Sequence, residues 1–190
     1  VFARVVVLFA IGVACAFAAG SLRRQMEKQA ADHSRIQLLE RTFGRLVAPE
    51  VAKQILEDEN WMKPARREAV IMFADLKGFT KYSEGKSPED VAAFLNRCWT
   101  IAADIVEKHG GVINKYMGDG FLAIFGVPLE LEGAEKAAAE TAAELDRELA
   151  AILSPDGLAL CIGLHAGPMI VGGIGSEARC EFTVIGSTVN

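Results

Sequence analysis

Two apolar runs, Val112-Ile113 and Phe121-Leu122-Ala123-Ile124-Phe125, flank the stretch Asn114-Lys115-Tyr116-Met117-Gly118-Asp119-Gly120. Runs joined through Gly-Asp-Gly read as a β-hairpin, and Asp119-Gly120 alone is equally a plain turn. Upstream, Ala69-Val70-Ile71-Met72-Phe73 reads as a buried strand. It delivers a carboxylate, Asp75, at its C-terminal end. Gly78 comes next, in a loop leading towards a helix, where backbone N–H groups can face an anion and glycine lets a phosphate approach closely. Bare carboxylate and phosphate repel, so a carboxylate beside a phosphate cradle suggests a divalent metal between them. An Asp ending a strand is also a common turn residue.

Around these two stretches the elements fall into a definite order. Ser87-Pro88-Glu89-Asp90 supplies an N-cap, a first-turn proline and acidic residues. The helix it starts buries Val91, Phe94, Leu95, Cys98, Ile101, Ala102 and Ile105, and stops at His109-Gly110-Gly111. After the hairpin, an Ala-rich helix over Gly133 to Leu153 turns Ala138, Leu145 and Leu149 inward. Ser154-Pro155-Asp156-Gly157 reads as a turn, with strands expected at Leu158 to His165, Met169 to Val171 and Cys180 to Ile185. The order β-α-β-β-α-β is the ferredoxin-like split βαβ of an α+β domain, here with an extra strand.

Ahead of that domain, residues 1 to 19 are apolar except Arg4, and Arg23, Arg24 and Lys28 come after them. The run is long enough for a transmembrane helix over 1–20, and the basic flank places the remainder of the chain in the cytoplasm. The rival reading is a signal peptide cut after Ala16-Phe17-Ala18. Ile36, Leu39, Phe43 and Leu46 keep helical spacing in a charged segment, which gives a helical linker over 21–65 with a weak coiled-coil signal. Ala48-Pro49-Glu50 restarts a helix, and Asn60 to Arg67 reads as linker before the first strand. A net charge of −5 argues against a nucleic-acid partner. Cys15, Cys98, Cys161 and Cys180 lack C-x-x-C spacing and read as buried thiols of a reducing compartment. His165, in an apolar run, reads as a satisfied core histidine.

The pair Phe-x-Asp-Leu-x-Gly-Phe-Thr and Lys-x-x-Gly-Asp-Gly-x-x-Ala-x-Phe resembles the class III nucleotidyl (adenylate/guanylate) cyclase catalytic domain. The resemblance continues through Gly163 to Pro168, Val171 to Ser176 and Phe182 to Asn190, covering about residues 66 to 190. It implies a cyclase domain with two divalent metals per site, Mg²⁺ or Mn²⁺, held by Asp75, Asp119 and the Leu76 carbonyl. The backbone of Lys77, Gly78, Phe79 and Thr80 would hold the phosphates. Lys115 and Thr183 match the base-reading positions. Lysine is a donor only and suits N1 of adenine, while the Thr183 hydroxyl can accept from the exocyclic amine, so the implied substrate is ATP. Asn190 matches the residue that orients the ribose. The family's further arginine, four residues on, falls past Asn190, and the chain is expected to continue at both ends. The resemblance also implies a head-to-tail homodimer, in which one chain supplies Asp75 and Asp119 and the other supplies Lys115, Thr183 and Asn190. The expectation is a membrane-attached adenylate cyclase with its catalytic domain in the cytoplasm. A nucleotide-sensing regulator of the same fold without activity, and a guanylate cyclase, are the alternatives. A diguanylate cyclase fits less well, because Gly172-Gly173-Ile174-Gly175 lacks that family's acidic pair and reads as a strand-end loop.

Overall fold

The computed structural model describes residue 54 and residues 59–176 and 179–190. The expected transmembrane helix at 1–20, Cys15, the helix restart at Pro49 and most of the 21–65 linker lie outside the described residues. Among the described residues, no helix is long and apolar enough to cross a membrane.

A short 3-10 turn, Glu59–Met62, precedes strand β1 (Ala65–Lys77). Helix α1 (Phe79–Ser83) and helix α2 (Pro88–Lys108) come next, then β2 (Gly111–Tyr116) and β3 (Gly120–Phe125). Helix α3 (Ala134–Leu153), β4 (Ala159–Ser176) and β5 (Arg179–Ile185) complete the domain. The five strands form one antiparallel sheet in the order β2-β3-β1-β4-β5. β3 sits between β1 and β2, as the split βαβ requires.

Side chains alternate across a strand, and the two faces of β1 are divided accordingly. Val70, Met72, Ala74 and Leu76 join Phe121, Ala123 and Phe125 in a core closed by α2 and α3 through Phe94, Cys98, Ala102, Leu145 and Leu149. Ala69 and Ile71 point the other way, with Leu122 and Ile124, and are covered by Met169, Val171 and Val184 of β4 and β5. Helix α2 starts where its cap residues put it. The Ser87 hydroxyl oxygen accepts from the Asp90 N–H at 3.1 Å, and Pro88 occupies the first turn.

Several sequence expectations are corrected. Residues 65–67 belong to β1, paired with Val171, Ile170 and Met169, so the strand outlasts its apolar run because β4 runs alongside it. The two strands expected at 158–165 and 169–171 are one strand, β4. Pro168 does not break it, because its carbonyl faces the C-terminal segment, where it accepts from Thr188 Oγ1 at 2.8 Å. Its missing N–H therefore falls on the side away from β1. Gly172-Gly173-Ile174-Gly175 is also strand, not loop. A Cβ on Gly172 would lie 2.7 Å from Pro64 Cα, and one on Gly173 would lie 2.8 Å from Met62 Cε. These glycines let the segment before β1 lie against β4. Cys98 is buried, but Cys161 and Cys180 are exposed free thiols. His165 is exposed rather than in the core, although its ring is bonded to the Thr188 carbonyl.

Candidate active site

Asp75 lies two residues inside the end of β1, directly opposite Gly120 on one side and Cys161 on the other. The β1–β3 approach is close here. A Cβ on Gly120 would lie 2.6 Å from the Ala74 carbonyl oxygen and 3.1 Å from Asp75 Oδ1. Glycine next to the carboxylate is therefore a steric requirement. Asp119 precedes Gly120, and its carbonyl accepts the Leu76 N–H at 3.0 Å, while Met117 N–H donates to the Gly120 carbonyl at 2.8 Å to close the turn. A strand residue directs its N–H and C=O to the same side, so the Leu76 carbonyl faces the Asp119 turn while its side chain is buried among the helices. Asp75, Leu76 and Asp119 are thus brought together across two strands. Asp75 is exposed and Asp119 is half-buried.

Gly78 takes φ 91°, a left-handed conformation that opens helix α1 at Phe79 and Thr80. Only glycine adopts it without strain. Mg²⁺ usually binds through one or two carboxylates plus substrate phosphates and keeps several waters. Two carboxylates, one exposed and one half-buried, with an adjacent carbonyl and a nearby glycine turn fit that donor set. Among the described residues there is no group of three or more His, Cys, Asp or Glu that could hold a metal ion.

Lys115 and Thr183 come from strands at opposite edges of the sheet, β2 and β5, yet their surroundings meet. Lys115 Nζ lies 2.6 Å from Glu181 Oε1. Asn114 Nδ2 donates to the Phe182 carbonyl at 2.9 Å, and Asn114 Oδ1 is buried with no partner among the described residues. An ammonium has three donors, and Glu181 engages one. Sequence reasoning missed Glu181 and Asn114. The signal for Glu181 was its spacing of two residues from Thr183, which places both on one side of β5.

The segment carrying Asn190 is moored to β4. The buried Thr188 donates to the Pro168 carbonyl, and its own carbonyl accepts from His165 Nδ1 at 3.0 Å. Asn190 N–H donates to the Gly186 carbonyl at 3.3 Å, and its side chain is exposed. Near the carboxylates, Phe73, Tyr116 and Met117 are exposed apolar groups. Tyr116 stacks on Trp99 with ring centroids 6.2 Å apart, and burial pushes its phenol above the usual tyrosine value.

Residues 62–190 match the family described as Adenylate and Guanylate cyclase catalytic domain. The uncharacterized protein Rv1318c of Mycobacterium tuberculosis is 35% identical over 172 residues, 90% of this chain and 31% of the relative. The chain spans about a quarter to a third of the length of such curated relatives. Among solved structures, the guanylyl cyclase Cya2 is similar at 36% identity and TM-score 0.62, covering 66% of this chain and 67% of that one. The adenylyl cyclase CyaB from P. aeruginosa is similar at 29% identity and TM-score 0.61, covering 67% and 69%.

Proposed function

The chain belongs to the adenylate and guanylate cyclase catalytic-domain family, and from that premise we propose that it is an adenylate cyclase that converts ATP to 3′,5′-cyclic AMP and pyrophosphate. The observation that carries the reading is the cluster across β1 and β3, where Asp75 pairs with Gly120 and Leu76 N–H bonds to Asp119. That cluster offers a set of hard oxygen donors at the end of a strand, next to a glycine turn suited to phosphate.

In the reaction the ribose 3′-oxygen bonds to the α-phosphorus, the bond from that phosphorus to the bridging oxygen breaks, and the hydroxyl proton leaves to solvent. Positioning and charge neutralisation dominate such phosphoryl transfers. Bound Mg²⁺ or Mn²⁺ supplies the charge that neutralises the triphosphate and acidifies the 3′-hydroxyl. Asp75, Asp119 and the Leu76 carbonyl would hold the metals. The backbone of Lys77 to Thr80 holds the phosphates, and Asn190 orients the ribose. Lys115 donates to adenine N1, and Thr183 accepts from the exocyclic amine. Guanine reverses both polarities, and a mismatched base leaves a buried polar group unpaired at about 1–3 kcal/mol. That polarity favours ATP in a family with members of both types. The same reading makes the active form a head-to-tail homodimer, attached to the membrane through residues 1–20 with the catalytic domain in the cytoplasm.

The test is cyclic AMP formation by the intact protein with Mg²⁺ or Mn²⁺. Asp75→Ala and Asp119→Ala should each reduce it to background while leaving the melting temperature close to that of the wild type, because Asp75 is exposed and Asp119 is only half-buried, at a turn. Full activity in either variant contradicts the assignment, and a higher kcat/KM for GTP than for ATP contradicts the choice of base.

A further inference from the structure

We propose that Asn114 is a positioning residue for base recognition: it is the extra residue of a bulge in β2, and its tie to β5 sets the direction in which Lys115 points. The inference rests on the reading of Lys115 as the donor to the base edge.

The β2–β3 register runs Gly111 to Phe125, Val112 to Ile124 and Ile113 to Ala123, then resumes with Lys115 opposite Leu122 and Tyr116 opposite Phe121. Asn114 is the inserted residue. In a regular ladder Asn114 would face Leu122, and Lys115 would face Phe121. Phe121 is fully buried in the helix-side core. Strand side chains alternate between faces, so an unbulged β2 would drive the lysine into that core. One extra residue reverses the parity, and re-aiming a side chain is what bulges next to active sites do. The contacts agree with the reversed parity. Tyr116 lies on the helix side, its ring centroid 6.5 Å from that of Phe121. Lys115 lies on the other side, on Glu181 at 2.6 Å.

A bulged residue has no ladder partner, so something else must hold it. Here the Asn114 amide donates 2.9 Å to the Phe182 carbonyl. Phe182 stands between Glu181, which pairs with Lys115, and Thr183, the second base-reading position. The contacts 114–182 and 115–181 therefore bring both base readers to one junction between the sheet's opposite edges. Asn114 Oδ1 is buried with no partner among the described residues, so the amide is held through its donor alone. The bond from Nδ2 is what asparagine adds.

Asn114→Leu tests this directly. Leucine is close in shape, and it removes both the donor and the orphaned acceptor. The ratio of kcat/KM for ATP over GTP should fall about three- to tenfold, the range that one neutral hydrogen bond spans. Asn114→Asp, which keeps the shape but cannot donate to a carbonyl, should also lower the ratio. In a Lys115→Ala background, Asn114→Leu should change the ratio no further, because it acts through Lys115. Affinities for ATP and GTP measured by calorimetry give the same ratio without turnover. An unchanged ratio in both single variants, an equal loss toward both nucleotides, or a full additional effect without Lys115 overturns the proposal. If Lys115→Ala itself leaves the ratio unchanged, it is the base-reading assignment that fails.

Discussion

At Gly120 a backbone constraint and a chemical one coincide. The missing Cβ lets β3 approach Ala74 closely and leaves Asp75 Oδ1 unobstructed. Gly120→Ala should therefore lower stability by about 1–3 kcal/mol, as overpacking does, and raise the Mn²⁺ concentration needed for half-maximal activity. Denaturant unfolding and a metal titration measure the two effects, and a variant unchanged in both would mean that β1 and β3 part freely at this point. The places of Asp75 and Asp119 in the fold were legible in the sequence, because each stands at a punctuation mark, a strand end or a Gly-Asp-Gly turn. The setting of Lys115 was not. Its face depends on the bulge at Asn114 and its partner on Glu181, and both arise from pairings between residues far apart in the chain. Cys161 misled for a similar reason. Without C-x-x-C spacing it reads as a buried thiol, but its place opposite Asp75 puts it on the open face.

Among the elements, the helices were legible from local chemistry: Ser87-Pro88 at the start of α2, Gly110 past its end, and an inward stripe of Ala138, Leu145 and Leu149 in α3. The length of β4 was not legible, because Ala166-Gly167-Pro168 reads as a break until the strand beside it and the Thr188 hydroxyl are known. The helices are also joined by charge. Glu144 of α3 accepts from Lys108 Nζ at 2.7 Å, and its other oxygen lies 2.7 Å from His109 Nε2. The hydrogen bonds from Lys108 and then His109 lower its carboxyl from the ordinary 4.5 to about 2. A carboxyl depressed on folding stabilises the fold above its ordinary value, and that contribution is lost as pH falls from about 4.5 towards 2. The melting-temperature gap between wild type and Glu144→Gln should thus be steady at neutral pH and close across that window. A gap independent of pH would show that the ion pair contributes nothing.

For the whole molecule, the order of elements is that of the split βαβ, and the sheet order β2-β3-β1-β4-β5 realises it. The extra strand β5 brings residues 181–183 back to β2. On the proposed function, each chain carries a carboxylate half, Asp75 with Asp119, and a base-reading half, Lys115 with Thr183 and Asn190. Phe73, Tyr116 and Met117 are exposed apolar groups, which the proposed dimer would cover. On the proposed function, the working site joins the two halves from different chains. Asp75→Ala and Lys115→Ala homodimers should each be nearly inactive, since both of their sites are damaged. In a heterodimer of the two, one site carries both lesions and the other carries none. Random association makes about half the dimers mixed, so co-expression of the two variants of the intact protein should restore about a quarter of wild-type cyclic AMP formation if the sites act independently. Recovery near that level supports a site shared between chains. No recovery, with heterodimers shown to form, contradicts it and assigns the whole site to a single chain.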